Sequence, residues 1–131
     1  MNVFDDVEID QSSFTFQDLQ GRGTWTTFTP VFGSLTVVGA TTYLGRYRFV
    51  GRTCEFQVRF SAATSIASSA GTDYLTLPFT AMGLAGVATM SNITANTNVG
   101  AAVINSTLSR CYLPTQAASG NTFTLAGWFE I

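Results

Sequence analysis

Histidine and lysine are both missing from this 131-residue sequence. Without histidine there is no Ser-His-Asp triad, no Cys-His pair, no usual zinc ligand and not the commonest general base. Without lysine there is no Schiff-base nucleophile and no P-loop grip on phosphate. Carboxylates are nearly exhausted by residue 18. Only Glu55, Asp73 and Glu130 follow, and a glycosidase needs two flanking one sugar bond. The sequence therefore predicts no catalytic residue, no cofactor and no metal. An enzyme, such as a depolymerase, would have to pair Glu55 with Asp73. No EF-hand spacing supports calcium either.

Charge is scarce as well, at 11% of residues. That is well below the quarter usual in soluble domains, so the polar surface is built from Thr, Ser, Asn, Gln and Gly. What charge exists is uneven. Asp5, Asp6, Glu8, Asp10 and Asp18 fall in the first 18 residues with no arginine among them, while six arginines face three acids from residue 19 onward. The first part is acidic and the remainder mildly basic. A surplus that small, with no basic run, argues against nucleic-acid binding. All the bases being arginine suits fixed, hydrogen-bonded or interfacial positions.

No apolar run approaches the roughly 20 residues needed to cross a bilayer, so no membrane span is expected. The opening Met1-Asn2-Val3-Phe4-Asp5-Asp6 lacks the basic and apolar regions of a secretory signal. Two cysteines make neither a disulfide framework nor a metal spacing. Cys54 reads as a small buried hydrophobe, and a bridge to Cys111 stays open because it depends on Cα separation. Asn92-Ile93-Thr94 and Asn105-Ser106-Thr107 are glycan acceptors only in a secretory pathway. In a chain this rich in threonine they are read as chance.

What is present is hydrophobic and β-forming: 46% apolar and 13% aromatic residues, ample for one packed domain. Residues 1–22 form an acidic N-terminal arm ending in a glycine hinge, and 23–131 form the body. Phe4, Phe14 and Phe16 in the arm point to docking, since exposed aromatics on a tail usually meet a partner. Strands are expected over 24–30, 34–38, 42–50, 53–60, 73–79, 84–91, 99–104, 107–113 and 121–131, with 61–72 as a loop. Cys54, Phe56, Val58 and Phe60 alternate with Thr53, Glu55, Gln57 and Arg59, which gives one core face and one polar face. Gly51-Arg52 fits a type II′ hairpin turn. No segment has a period of 3.6, so helix is not expected. Eight or nine short strands in about 110 residues predict an all-β antiparallel sandwich of jelly-roll type.

Two surface features stand out. Arg46, Arg48, Arg52 and Arg59 cluster about the hairpin as a basic stripe able to meet acidic arms or a neighbouring subunit. Tyr43, Tyr47, Tyr74 and Tyr112 with Trp25 and Trp128 are either core and interface residues or a sugar-stacking platform, because flat rings pack on pyranose faces. Thin Ala and Gly faces over residues 81–102 allow close approach of a neighbouring backbone.

The runs Gly23-Thr24-Trp25-Thr26-Thr27-Phe28-Thr29-Pro30 and Thr42-Tyr43-Leu44-Gly45-Arg46-Tyr47-Arg48-Phe49-Val50-Gly51-Arg52 resemble the GTWTP…Y…GRY…GR pattern of bacteriophage virion-surface domains. Tyr74-Leu75-Thr76-Leu77-Pro78-Phe79 resembles their LP(F) strand end. The resemblance covers most of residues 23–80 and departs at Thr27, where the family often has proline. It implies a homotrimeric jelly roll on the particle exterior. One form is a capsid decoration or cement protein, whose arm (Phe4, Asp5, Asp6, Glu8, Phe14, Phe16) grips the major capsid protein. The other is a tail-fibre tip binding host-surface glycans. The short arm after Met1 favours the decoration form. In either form Tyr43, Arg46, Arg48, Arg52 and Tyr74 are the expected subunit or ligand contacts.

Overall fold

The computed structural model describes residues 24–83 and 85–131. The predicted arm, 1–22, with Phe4, Asp5, Asp6, Glu8, Phe14 and Phe16, lies outside the described residues. No helix occurs among the described residues. Twelve strands do: β1 (Thr26–Phe28), β2 (Phe32–Gly33), β3 (Thr36–Val38), β4 (Thr41–Val50), β5 (Thr53–Ala62), β6 (Ser65–Ser68), β7 (Tyr74–Thr76), β8 (Gly86–Asn92), β9 (Thr97–Asn105), β10 (Arg110–Tyr112), β11 (Gln116–Ser119) and β12 (Phe123–Glu130). Nine form one antiparallel sheet in the order β1-β4-β5-β12-β8-β9-β10-β7-β2, and β11-β6-β3 form a small second sheet.

The large sheet curls on itself. Phe32, on the strand at one end, sets its ring 5.2 Å from Tyr43 of β4 and 4.9 Å from Phe60 of β5, near the other end. Inside the curl lies one core, to which β5 gives Cys54, Phe56, Val58 and Phe60 and β12 gives Phe123, Leu125 and Phe129. Ile66 of the small sheet is fully buried in the same core. The alternation in β5 causes this placement. With successive side chains on opposite faces, four apolar residues at every second position bury together, and Phe56, Val58 and Phe60 each stabilise by about 1.5–3 kcal/mol.

The hairpin expected at Gly51-Arg52 forms, with β4 and β5 paired from Val50↔Thr53 to Thr41↔Ala62. Gly51 has φ 61° and Arg52 has no positive φ, as the first and second central residues of a type II′ turn require. The Ala and Gly faces are used within the chain. A Cβ on Gly127 would collide with the Val87 carbonyl, so β12 can lie against β8 at Gly127↔Ala88 only with glycine there.

Three expectations need correcting. Residues 61–72 are not simply a loop: Ile66 and Ser68 are buried in β6, which pairs with both β3 and β11. Their small polar neighbours masked one buried isoleucine. The strand expected over 34–38 is shorter, β3 at Thr36–Val38, because the chain bends at Ser34, which takes φ 65°, and the two-residue β2 before the bend was not expected. β11 was not expected at all, since its Gln116-Ala117-Ala118-Ser119 carries no large apolar residue.

Candidate functional site

The outer face of β1, β4, β5 and β12 is fixed by register. Thr27↔Arg46, Arg46↔Gln57 and Gln57↔Ala126 make one row across four strands. Arg48↔Glu55↔Trp128 makes the next. These rows face away from the core because their neighbours Phe56, Val58 and Leu125 face into it.

Polar contacts run along both rows. Arg48 Nε donates to Glu55 Oε1 at 2.7 Å, and Arg46 Nε donates to Gln57 Oε1 at 2.9 Å. Both guanidinium groups stand 4.5 Å from the centroid of the Trp25 ring, within cation–π range. Beside the Arg46 row the twisted sheet leaves an open groove of about 840 Å³ lined by Thr27, Thr29, Leu44, Arg46, Gln57, Arg59, Thr124 and Ala126, with Phe28, Tyr43, Gly45, Val58 and Leu125 between them, and no acid. Leu44 is 59% exposed there. Gly45 lets this region close up from the inner side, since a Cβ would sit 2.9 Å from the Phe28 ring and 3.0 Å from its carbonyl oxygen.

Of the other expected contacts, Tyr43 borders this groove, while Arg52 and Tyr74 lie apart from it. Tyr43 turns inward against Phe32 at the margin of the core. Arg52 is exposed in the β4–β5 turn, where its carbonyl accepts Ile131 N–H at 2.9 Å. Tyr74 belongs to β7, with the Arg110 guanidinium 4.0 Å from its ring centroid and Tyr112 at 5.5 Å. Arg110 donates to the Tyr112 hydroxyl at 3.1 Å, and that bond is the main cause holding its proton above the ordinary value. Thus Arg46, Arg48 and Arg59 share a face, while Tyr43, Arg52 and Tyr74 do not join them.

A second exposed feature is aromatic. The rings of Tyr47, Phe49 and Phe79 lie 4.8–5.6 Å apart, and Phe49 and Phe79 remain 39% and 38% exposed. Sequence reasoning missed this cluster because Phe79 lies thirty residues from Phe49 and beyond the end of β7. It also missed the contact of Trp25 with both arginines, whose signal was available: two arginines at alternate positions of one strand must share a face.

The carboxylates are dispersed. Glu55 pairs with Arg48 on the surface, buried Asp73 accepts the Ser69 N–H at 2.8 Å, and Glu130 accepts the Ala85 N–H at 3.1 Å. Among the described residues no three His, Cys, Asp or Glu side chains group to hold a metal ion. Likewise, no helix among them is long and apolar enough to cross a membrane. Both cysteines are free and fully buried. Burial, helped by Glu55, pushes the Cys54 thiol up to about 11, and burial alone pushes Cys111 to about 12, so neither is a nucleophile near neutrality.

The two Asn-x-Thr triplets have a structural use. Asn92 Oδ1 accepts the Ala95 N–H at 3.0 Å, and Asn105 Oδ1 accepts the Leu108 N–H at 3.1 Å. Each opens a turn that ends on a left-handed residue, Asn96 at φ 58° and Ser109 at φ 53°. These are matched Asx-type turns joining β8 to β9 and β9 to β10.

Comparison with known proteins gives no match to any family model, curated protein or solved structure.

Proposed function

We propose that this chain is a non-enzymatic structural protein of a tailed bacteriophage particle, a homotrimeric capsid decoration protein with its body a jelly-roll sandwich. In this reading it sits on the capsid exterior, made in the host cytoplasm, and binds the major capsid protein through its N-terminal arm. Binding across neighbouring subunits opposes their separation by the free energy of that binding.

The observation that carries the reading is the character of the described surface. Ten large apolar side chains stand exposed on it, from Phe79 at 38% to Met82 at 76%, among few charges. Two of them, Phe49 and Phe79, adjoin each other and Tyr47 as one exposed aromatic patch, the kind of feature that favours burial against a partner. The curled sheet closed by a smaller one is compatible with a jelly roll, and the sequence resemblance supplies the virion context.

The arm is tested on particles. Chains lacking residues 1–20 should be lost from the shell, and full occupancy without them would remove the arm as anchor. Replacing Arg46 and Arg48 by Ala tests whether the stripe contributes to assembly; unchanged assembly would count against it. The alternative, a fibre tip binding host glycans, predicts binding on a glycan array that is abolished by Tyr74→Ala. Imaging of the particle separates the two, because one reading requires the shell and the other the tail.

A further inference from the structure

The groove on the outer face has two arginines, no acid in its lining, and a chain entering beside it that is strongly acidic. We infer that the acidic stretch at residues 5–10 folds back into this groove of its own body, with Arg46 and Arg59 as its cationic seats. The inference concerns the free chain and stands whether or not the protein belongs to a capsid.

The groove is short of negative charge. Glu55, the one acid on this part of the sheet, is committed to Arg48 at 2.7 Å. Arg46 spends its Nε on Gln57, which leaves its terminal nitrogens for another acceptor. Arg59 has no hydrogen bond or ion pair with any described residue. Thr27 and Thr29 add exposed hydroxyls along the wall, and exposed Leu44 adds an apolar floor.

The occupant is complementary in charge and tethered nearby. Asp5, Asp6, Glu8 and Asp10 place four carboxylates within six residues, and no base precedes Arg22. The described chain begins at Thr24 and runs directly into β1, which forms the groove wall. From Thr24 to Thr29 is about 17 Å of extended chain, while the residues between Asp10 and Thr24 can span more than twice that, at roughly 3.3 Å each. Reach is therefore ample, and the tether raises the local concentration of the segment to about the millimolar range. A single exposed ion pair would contribute too little to hold it. Four carboxylates on one tethered segment, facing two arginines with no competing acid, act together and should be sensitive to salt.

The test uses the full chain with Val7→Cys carrying a nitroxide. Buried Cys54 and Cys111 stay protonated near neutrality, so the label goes to position 7. In about 0.02 M salt the amide signals of Thr27, Thr29, Gln57 and Thr124 should broaden severalfold more than those of β10, and in about 0.5 M salt that excess should disappear. Neutralising the segment (D5N/D6N/E8Q/D10N) or the groove (R46Q/R59Q) should abolish it, with the remaining amide spectrum unchanged as proof of folding. In a mixture of labelled unenriched chains with unlabelled isotope-enriched chains, the Thr27, Thr29, Gln57 and Thr124 amides should broaden no more than those of β10. Broadening centred on the Phe49–Phe79 cluster, the same groove excess in the mixture, or none in low salt would each overturn the inference.

Discussion

Strand β5 shows two regions of the molecule one residue apart. Cys54, Phe56, Val58 and Phe60 are sealed, each at most 2% exposed, in contact with rings and aliphatic chains from several other strands. Glu55, Gln57 and Arg59, on the same ten residues of backbone, carry at most one polar contact each, and Arg59 has none with a described residue. The inner set settles which sheet forms; the outer set is left free to choose a partner. Surface contacts can therefore change with little effect on folding, while core contacts cannot.

The largest break in this comparison should come from the inner face. Phe60 is fully buried, stacked on Phe123 at 5.7 Å and touched by Phe32 from the far end of the sheet. Phe60→Ala should cost about 3–5 kcal/mol in denaturant unfolding, a large part of a small domain's stability. A smaller loss, about 1–3 kcal/mol, is expected for Gly127→Val, because the added Cβ has the Val87 carbonyl in its way and the backbone must shift.

Alkaline pH tests the same interior. Both thiols titrate higher in the folded chain, so the folded state keeps protons that the unfolded state releases. Their stabilisation is complete below the ordinary thiol value of 9.0 and is lost progressively as pH rises from there to about 11 for Cys54 and about 12 for Cys111. At pH 10 unfolding titrations should show a loss of about 1 kcal/mol per thiol relative to pH 7. The smallest effect belongs to the outer face. Arg48→Ala removes the pair with Glu55 and one Trp25 contact, and it should change stability by no more than about 1 kcal/mol. A loss as large as that of Phe60→Ala would erase the distinction between the faces.

The all-β class, the β4–β5 hairpin, the core face of β5 and that of β12 were legible in the sequence, because large apolar residues at period two leave little choice of face. β6 and β11 were not. Ile66 stands alone among serines and alanines, and its burial is decided by the two strands beside it. The site was legible only in part: alternation assigns Arg46, Arg48 and Arg59 to one face, whereas the groove beside them depends on sheet twist and on how β1 pairs. Tyr43 and Tyr74 look equivalent as sequence, yet one closes the core against Phe32 and the other carries Arg110 on β7. The Asn92 and Asn105 turns carried a signal that went unread, since asparagine next to a hydroxyl-rich turn matches both a glycan acceptor and an Asx turn.

If the uncovered side chains on the outer surface are there to be covered, the purified chain should associate with itself at moderate concentration. Sedimentation equilibrium reads this directly. The account predicts a species of about three times the 14.0 kDa chain mass, and a single 14.0 kDa monomer at every concentration tested would contradict it.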